Sequence, residues 1–172
     1  LPLQTEVLDR WADGSCRWVL LDFQATVSAL QKMQYWLGLS DGPVAPVADK
    51  ILITASADTI EVVTGSEAFG ISRDGPFPIK EVVVNGTQII DSDSSGMVLV
   101  DANGRTWETK IGKIHMEASG PLRATIYIEG SFSHSAEKRP LAIFFSRLHF
   151  FSGQSLVKMD FTIRNPRAAK HR

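Results

Sequence analysis

The sequence has a single cysteine, Cys16, so no intrachain disulfide can form, and a buried, inert thiol is its expected role. It has no surplus of either charge. Against 18 basic residues stand 19 acidic ones, and neither sign gathers into a long block, which removes the electrostatic footprint that nucleic-acid binding requires. Long apolar runs are missing too: stretches such as Trp18-Val19-Leu20-Leu21 and Ala142-Ile143-Phe144-Phe145 fall far short of the ~20 residues of a spanning helix. Neither nucleic acid nor a membrane is an expected partner. There is no Ser-centred nucleophile elbow, no phosphate-cradling glycine loop and no Cys-His pair, and Gly65 to Gly70 lacks the spacing of a dinucleotide fingerprint. Hydrolase and nucleotide-binding readings lose ground accordingly, and no cofactor is expected.

What the chain does have is 172 residues, 44% of them hydrophobic, enough to bury a core as one large or two small domains. Turn dipeptides punctuate it. Asp13-Gly14 separates Glu6–Trp11 from Arg17–Phe23, Asn85-Gly86 separates Val82–Val84 from Gln88–Ile90, and Asn103-Gly104 separates Met97–Val100 from Thr106–Thr109. Each pair suits the positive φ angles of a two-residue hairpin turn. Further β-branched or alternating runs occur at Ile51–Thr54, Thr59–Val63, Ile114–Glu117, Ala124–Glu129, Leu141–Phe151 and Leu156–Ile163. Short strands at this spacing predict an all-β chain built as a sandwich or barrel.

Residues Val27 to Leu39 fit two patterns: Val27, Leu30, Met33 and Leu37 could line a helix capped by Thr26, while Met33, Tyr35, Leu37 and Leu39 alternate as in a strand. Strand is the expectation, since a helix would need its own partner surface. The cluster Gly42-Pro43-Val44-Ala45-Pro46 then reads as a linker dividing residues 1–48 from 49–172. Leu1 is not an initiator methionine, and strand-like Phe161–Asn165 leads into a basic stretch without a closing element, so the chain is expected to be a piece of a longer protein.

Asp91-Ser92-Asp93-Ser94-Ser95-Gly96 opens like a calcium loop but has Ala102 where the bidentate carboxylate belongs, so a solvated loop is expected and no metal. His115, His134, His149 and His171 show no metal-ligand spacing. Asn85-Gly86-Thr87 is a glycan-acceptor sequon, which the turn explains equally well. The indoles of Trp11, Trp18, Trp36 and Trp107 could stack on the apolar face of a pyranose, with core packing the default for each. Trp11 and Trp107 lie close to hairpin turns and Trp18 lies inside an apolar run. The carbohydrate-contact candidates are therefore Trp11, Trp107 and Arg17, whose guanidinium suits a uronate carboxylate but could equally pair across the hairpin with Asp9.

The first hairpin, Glu6 to Ala25, resembles the amino-terminal region of the exo-rhamnogalacturonan lyase family (PcRGLX/YetA-like). Gly120-Pro121-Leu122-Arg123-Ala124 through Glu129-Gly130, then Ser146–Gly153 and Thr162–His171, are similar to that family's central sandwich. The resemblance implies a partial RIFT-type barrel over residues 1–48, followed by the first part of an antiparallel, mutarotase-like β-sandwich over 49–172. It also implies that the α/α toroid of the family lies outside this chain and is its partner in one protein. The activity implied for the parent is β-elimination on the rhamnogalacturonan backbone of pectin, a uronate-containing polysaccharide, with a secreted or extracytoplasmic setting. That chemistry needs a base and a cation beside the uronate carboxylate. Tyr35 and Tyr127 are the only tyrosines, both in strand patterns, and no catalytic residue is assigned. The rival reading is a stand-alone carbohydrate-binding or structural module.

Overall fold

The computed structural model describes residues 1–39, 42–43, 45–91 and 94–166. The described chain forms two compact units, Leu1–Ala48 and Asp49–Arg172. It is all-β, with no α-helix among the described residues.

The first unit holds one antiparallel hairpin, β1 (Gln4–Arg10) and β2 (Cys16–Asp22). Its turn is not the two-residue form expected. Trp11 N–H donates to Ser15 C=O, Gly14 N–H donates to Trp11 C=O, and only Gly14 has positive φ, at 85°. That is a three-residue loop closed by a left-handed glycine. Residues 31–39 form neither the expected strand nor a helix: no ladder partner pairs with them among the described residues, and a turn with Leu30 at φ 61° precedes them. Tyr35 instead packs on Phe23, ring centroids 5.3 Å apart. Cys16 is exposed, contrary to the buried thiol expected, because it sits at the turn end of β2, where its pairing with Arg10 is the last rung of the ladder.

The second unit is a sandwich of two five-stranded antiparallel sheets. One runs in chain order through β3 (Leu52–Ala55), β4 (Thr59–Val63), β5 (Glu67–Ser72), β6 (Ile79–Val84) and β7 (Thr87–Asp91). The other runs through β8 (Val98–Val100), β9 (Thr106–Ser119), β10 (Arg123–Ser133), β11 (Ala142–Phe151) and β12 (Val157–Arg164). Period-two alternation decides which side chains face inward. On β10 these are Ala124, Ile126, Ile128 and Phe132, and on β11 Ala142, Phe144, Leu148 and Phe150. They meet Ile60, Val62, Phe69, Ile71, Ile79 and Val82 of the facing sheet in one core. Phe69 and Phe150 join the layers directly, with centroids 5.2 Å apart.

Two details of sequence set local geometry. Asn85 and Gly86 both take positive φ, 51° and 77°, giving the two-residue β6–β7 turn that was expected. The Asn103-Gly104 hairpin repeats the pattern of the first unit instead: Asp101 N–H donates to Arg105 C=O, Gly104 N–H to Asp101 C=O, and only Gly104 is left-handed. Gly130 lies opposite Phe144, and a methyl group there would come within 2.4 Å of that ring and 2.7 Å of Lys110 C=O. The glycine therefore lets Phe144 fold down onto its own sheet, where it also stacks on Phe161 at 5.3 Å.

Candidate functional site

The outward face of the β8–β12 sheet is where polar and aromatic side chains converge. Antiparallel register places them in rows. Lys110, Ser131, Ile143 and Arg164 align across β9 to β12, as do Lys113, Glu129, Phe145 and Thr162, and next His115, Tyr127, Arg147 and Asp160. Thr125, His149 and Lys158 continue the pattern on β10 to β12. Glu117 has no opposite residue, because the register steps from Met116↔Ile126 to Ala118↔Thr125; a β-bulge frees it from the ladder and re-aims its carboxylate.

That carboxylate receives Arg147 in a two-pronged contact, Nε to Oε2 at 2.6 Å and Nη2 to Oε1 at 2.8 Å. The guanidinium reaches it by crossing over Tyr127, with Cζ 5.1 Å from the ring centroid, and His115 flanks the same ring at 4.9 Å. Hydrogen bonding from Arg147 holds Glu117 below the usual carboxylate range and raises Arg147 in turn. Desolvation, then the negative charge of Glu129, push the Tyr127 phenol up. His149 bridges Thr125 Oγ1, 3.0 Å from Nδ1, and Asp160 Oδ2, 2.9 Å from Nε2. Lys158 shares Asp160 Oδ2 at 2.9 Å, and hydrogen bonds from Lys158 and then His149 lower the Asp160 pKa.

The chemistry of this network is that of a braced surface. A phenol with raised pKa stays protonated and is a poor base near neutrality. Arg147 is already matched to Glu117, so a uronate carboxylate approaching it would have to compete with an in-place partner.

Of the residues singled out from sequence, Trp11 and Arg17 are brought together: Arg17 Cζ lies 4.7 Å from the Trp11 ring centroid, and its Nη1 is 3.1 Å from Asp9 Oδ2. Trp11 remains 56% exposed, with Arg17 over one face. Trp107 is different. It is 0% exposed, its Nε1 donates to Asp101 Oδ2 at 3.1 Å, and it belongs to the sandwich core, so its indole cannot stack on a sugar. Nearness to a turn misled because Trp107 is the inward residue of its strand end. The apolar run around Trp18 misled in the other direction, for Trp18 is 62% exposed. Ser92 and Asp93 of the calcium-loop reading, Val44 of the linker and His171 lie outside the described residues. No group of three or more His, Cys, Asp or Glu placed to hold a metal occurs among the described residues. The β9–β12 face itself went unnoticed in the sequence, although the alternation of His115, Glu117, Tyr127, Glu129, Arg147 and His149 with apolar residues was its signal.

No curated protein matches the chain. The family model for the PcRGLX-like protein central beta sandwich domain matches residues 51–171, which takes in all ten strands of the two-sheet unit. By fold and by this match over more than half its length, the chain belongs to the PcRGLX-like family.

Proposed function

We propose that this chain is the noncatalytic barrel-and-sandwich portion of a polysaccharide lyase acting on rhamnogalacturonan by β-elimination. The observation that carries the reading is the match of residues 51–171 to the PcRGLX-like central sandwich. The outward face of the β8–β12 sheet supports it: Arg147 is occupied by Glu117 and the Tyr127 phenol is pushed up, so neither of these two serves as the free cation or the base of an elimination, while the face still offers polar contacts. Residues 1–48 take the place of the family's partial RIFT-type barrel on the resemblance of the Glu6–Ala25 hairpin. The substrate class makes an extracytoplasmic setting the natural one, with an α/α toroid supplying the chemistry. The alternation of charge and hydroxyl on that face speaks against a sandwich that serves contacts between domains alone. Affinity electrophoresis tests the polysaccharide partner: the chain is expected to be retarded in a gel containing rhamnogalacturonan and to run freely in one containing a neutral galactan. Equal mobility in both gels would overturn the assignment.

A further inference from the structure

An open groove of about 520 Å³ lies on the same outward face, at the end where the β9–β12 rows begin. Lys110, Lys113, Glu129, Ser131, Ser133 and Ile143 line it. Its origin is in the backbone. The register steps past Gly112 between Ile111↔Gly130 and Lys113↔Glu129, and neither glycine places a side chain in the groove, so a second bulge opens the floor between two lysines. The volume is within the range of small-molecule sites, and the open shape suits a unit within a polymer more than an enclosed ligand.

The lining is chemically specific. Lys110 and Lys113 are exposed, and neither amine has an ion pair or side-chain hydrogen bond among the described residues. Their cross-strand partners are Ser131 and Glu129, which leaves the groove with two cations against one carboxylate. Ser131 Oγ and Ser133 Oγ are 3.1 Å apart, so one hydroxyl donates to the other and further hydrogen-bonding capacity remains. Pro140 and Ile143 add an apolar wall.

We infer that this groove binds an acidic sugar, the two lysines taking the uronate carboxylate, Glu129 and the serines taking ring hydroxyls, and Ile143 lying against the apolar sugar face. The inference deepens the proposed function and rests on it for the choice of sugar; the groove itself calls only for a carboxylate flanked by hydroxyls. Lysines act here as mobile point charges, which fits a groove that must tolerate a moving polymer better than a fixed fork would.

The test is titration of the full chain with digalacturonate, read by amide chemical shifts, with its methyl ester and inorganic phosphate in parallel. Saturable shifts centred on Lys110–Lys113 and Ser131–Ser133 are expected, and esterification should weaken binding about fivefold or more. Lys110→Gln and Lys113→Gln should each weaken digalacturonate about fivefold, whereas Lys80→Gln on the other sheet should leave it unchanged. All three lysines are exposed, so folding is expected to survive and is checked by the melting curve. Shifts located elsewhere, no shifts at all, or equal binding of acid and ester would overturn the inference. So would phosphate binding more tightly than digalacturonate, which would mark a simple anion site. Retardation by rhamnogalacturonan that persists in the Lys110→Gln, Lys113→Gln double variant sinks the groove alone, while loss of wild-type retardation with digalacturonate still bound sinks the polysaccharide assignment alone.

Discussion

Single side chains carry most of what is specific to this molecule. Ser146 is an inward residue of β11, 1% exposed, and its hydroxyl has no hydrogen-bond partner among the described residues. A buried unpaired hydroxyl costs about 1–3 kcal/mol. Ser146→Ala removes that cost while leaving a void no larger than one oxygen, so a melting temperature a few degrees above wild type is expected in a thermal scan. Asp101 behaves in the opposite way. Burial opposes its charge, yet hydrogen bonds from Arg105 N–H, Trp107 Nε1, Asn103 N–H and the Arg105 guanidinium hold it far below the ordinary carboxylate range. Glu117 and Asp160 are lowered too. A carboxylate whose folded pKa lies below its unfolded one stabilises the fold above the unfolded value, and that contribution fades as pH falls toward the folded value. Melting temperature should therefore drop on acidification from about pH 5 downward, and Asp101→Asn should flatten the drop. A variant whose pH profile parallels wild type would show that the Asp101 network is not a source of acid sensitivity.

At the level of strands and turns, φ angles separate hairpins that look alike in sequence. Asn85 sits at φ 51°, which asparagine tolerates and alanine does not, whereas Asn103 precedes its left-handed glycine and has negative φ. Asn85→Ala is expected to cost about 1 kcal/mol in denaturant unfolding, and Asn103→Ala a few tenths at most. Gly130→Ala makes a harsher demand, since its methyl would collide with both the Phe144 ring and a backbone carbonyl. Overpacking of this kind costs about 1–3 kcal/mol, seen as a lower urea midpoint, and Phe144→Leu in the same chain should recover part of it. The turns and most strands were legible because Gly, Asn and Asp punctuate runs with period two. Strand β5 was not. Its sequence Glu67-Ala68-Phe69-Gly70-Ile71-Ser72 opens with a carboxylate and has glycine inside, yet it is the central strand of its sheet. Gly70 is accepted there because the Glu81 side chain packs beside it, with Cβ 3.3 Å from where a methyl would stand. Thr106–Thr109 and Ile114–Glu117 read as separate runs, but they are one 14-residue strand whose bulges absorb the break in alternation.

At the scale of the whole chain, the larger unit is a sandwich with an apolar interior and a polar outward face on the β8–β12 sheet, preceded in the chain by a unit that shows much apolar surface. Val7, Leu8, Trp18, Val19, Met33, Trp36 and Leu37 are all exposed in that unit, and a lone two-stranded hairpin is marginal in water. The candidate face was hard to find in the sequence for a physical reason: it is assembled from β9, β10, β11 and β12, and only register brings His115 beside Tyr127 or Lys110 beside Ser131. Linear spacing carries no record of that. Trp107 illustrates the converse, since an aromatic beside a turn can equally face the core. The central proposal is a sandwich that contacts polysaccharide without cleaving it. The direct test incubates the purified chain with rhamnogalacturonan and follows the ultraviolet absorbance of unsaturated uronate ends. The prediction is a flat trace over hours at saturating polysaccharide; a rising trace that disappears in Tyr127→Phe or His149→Ala would contradict it and place the active site on the outward face of the β8–β12 sheet.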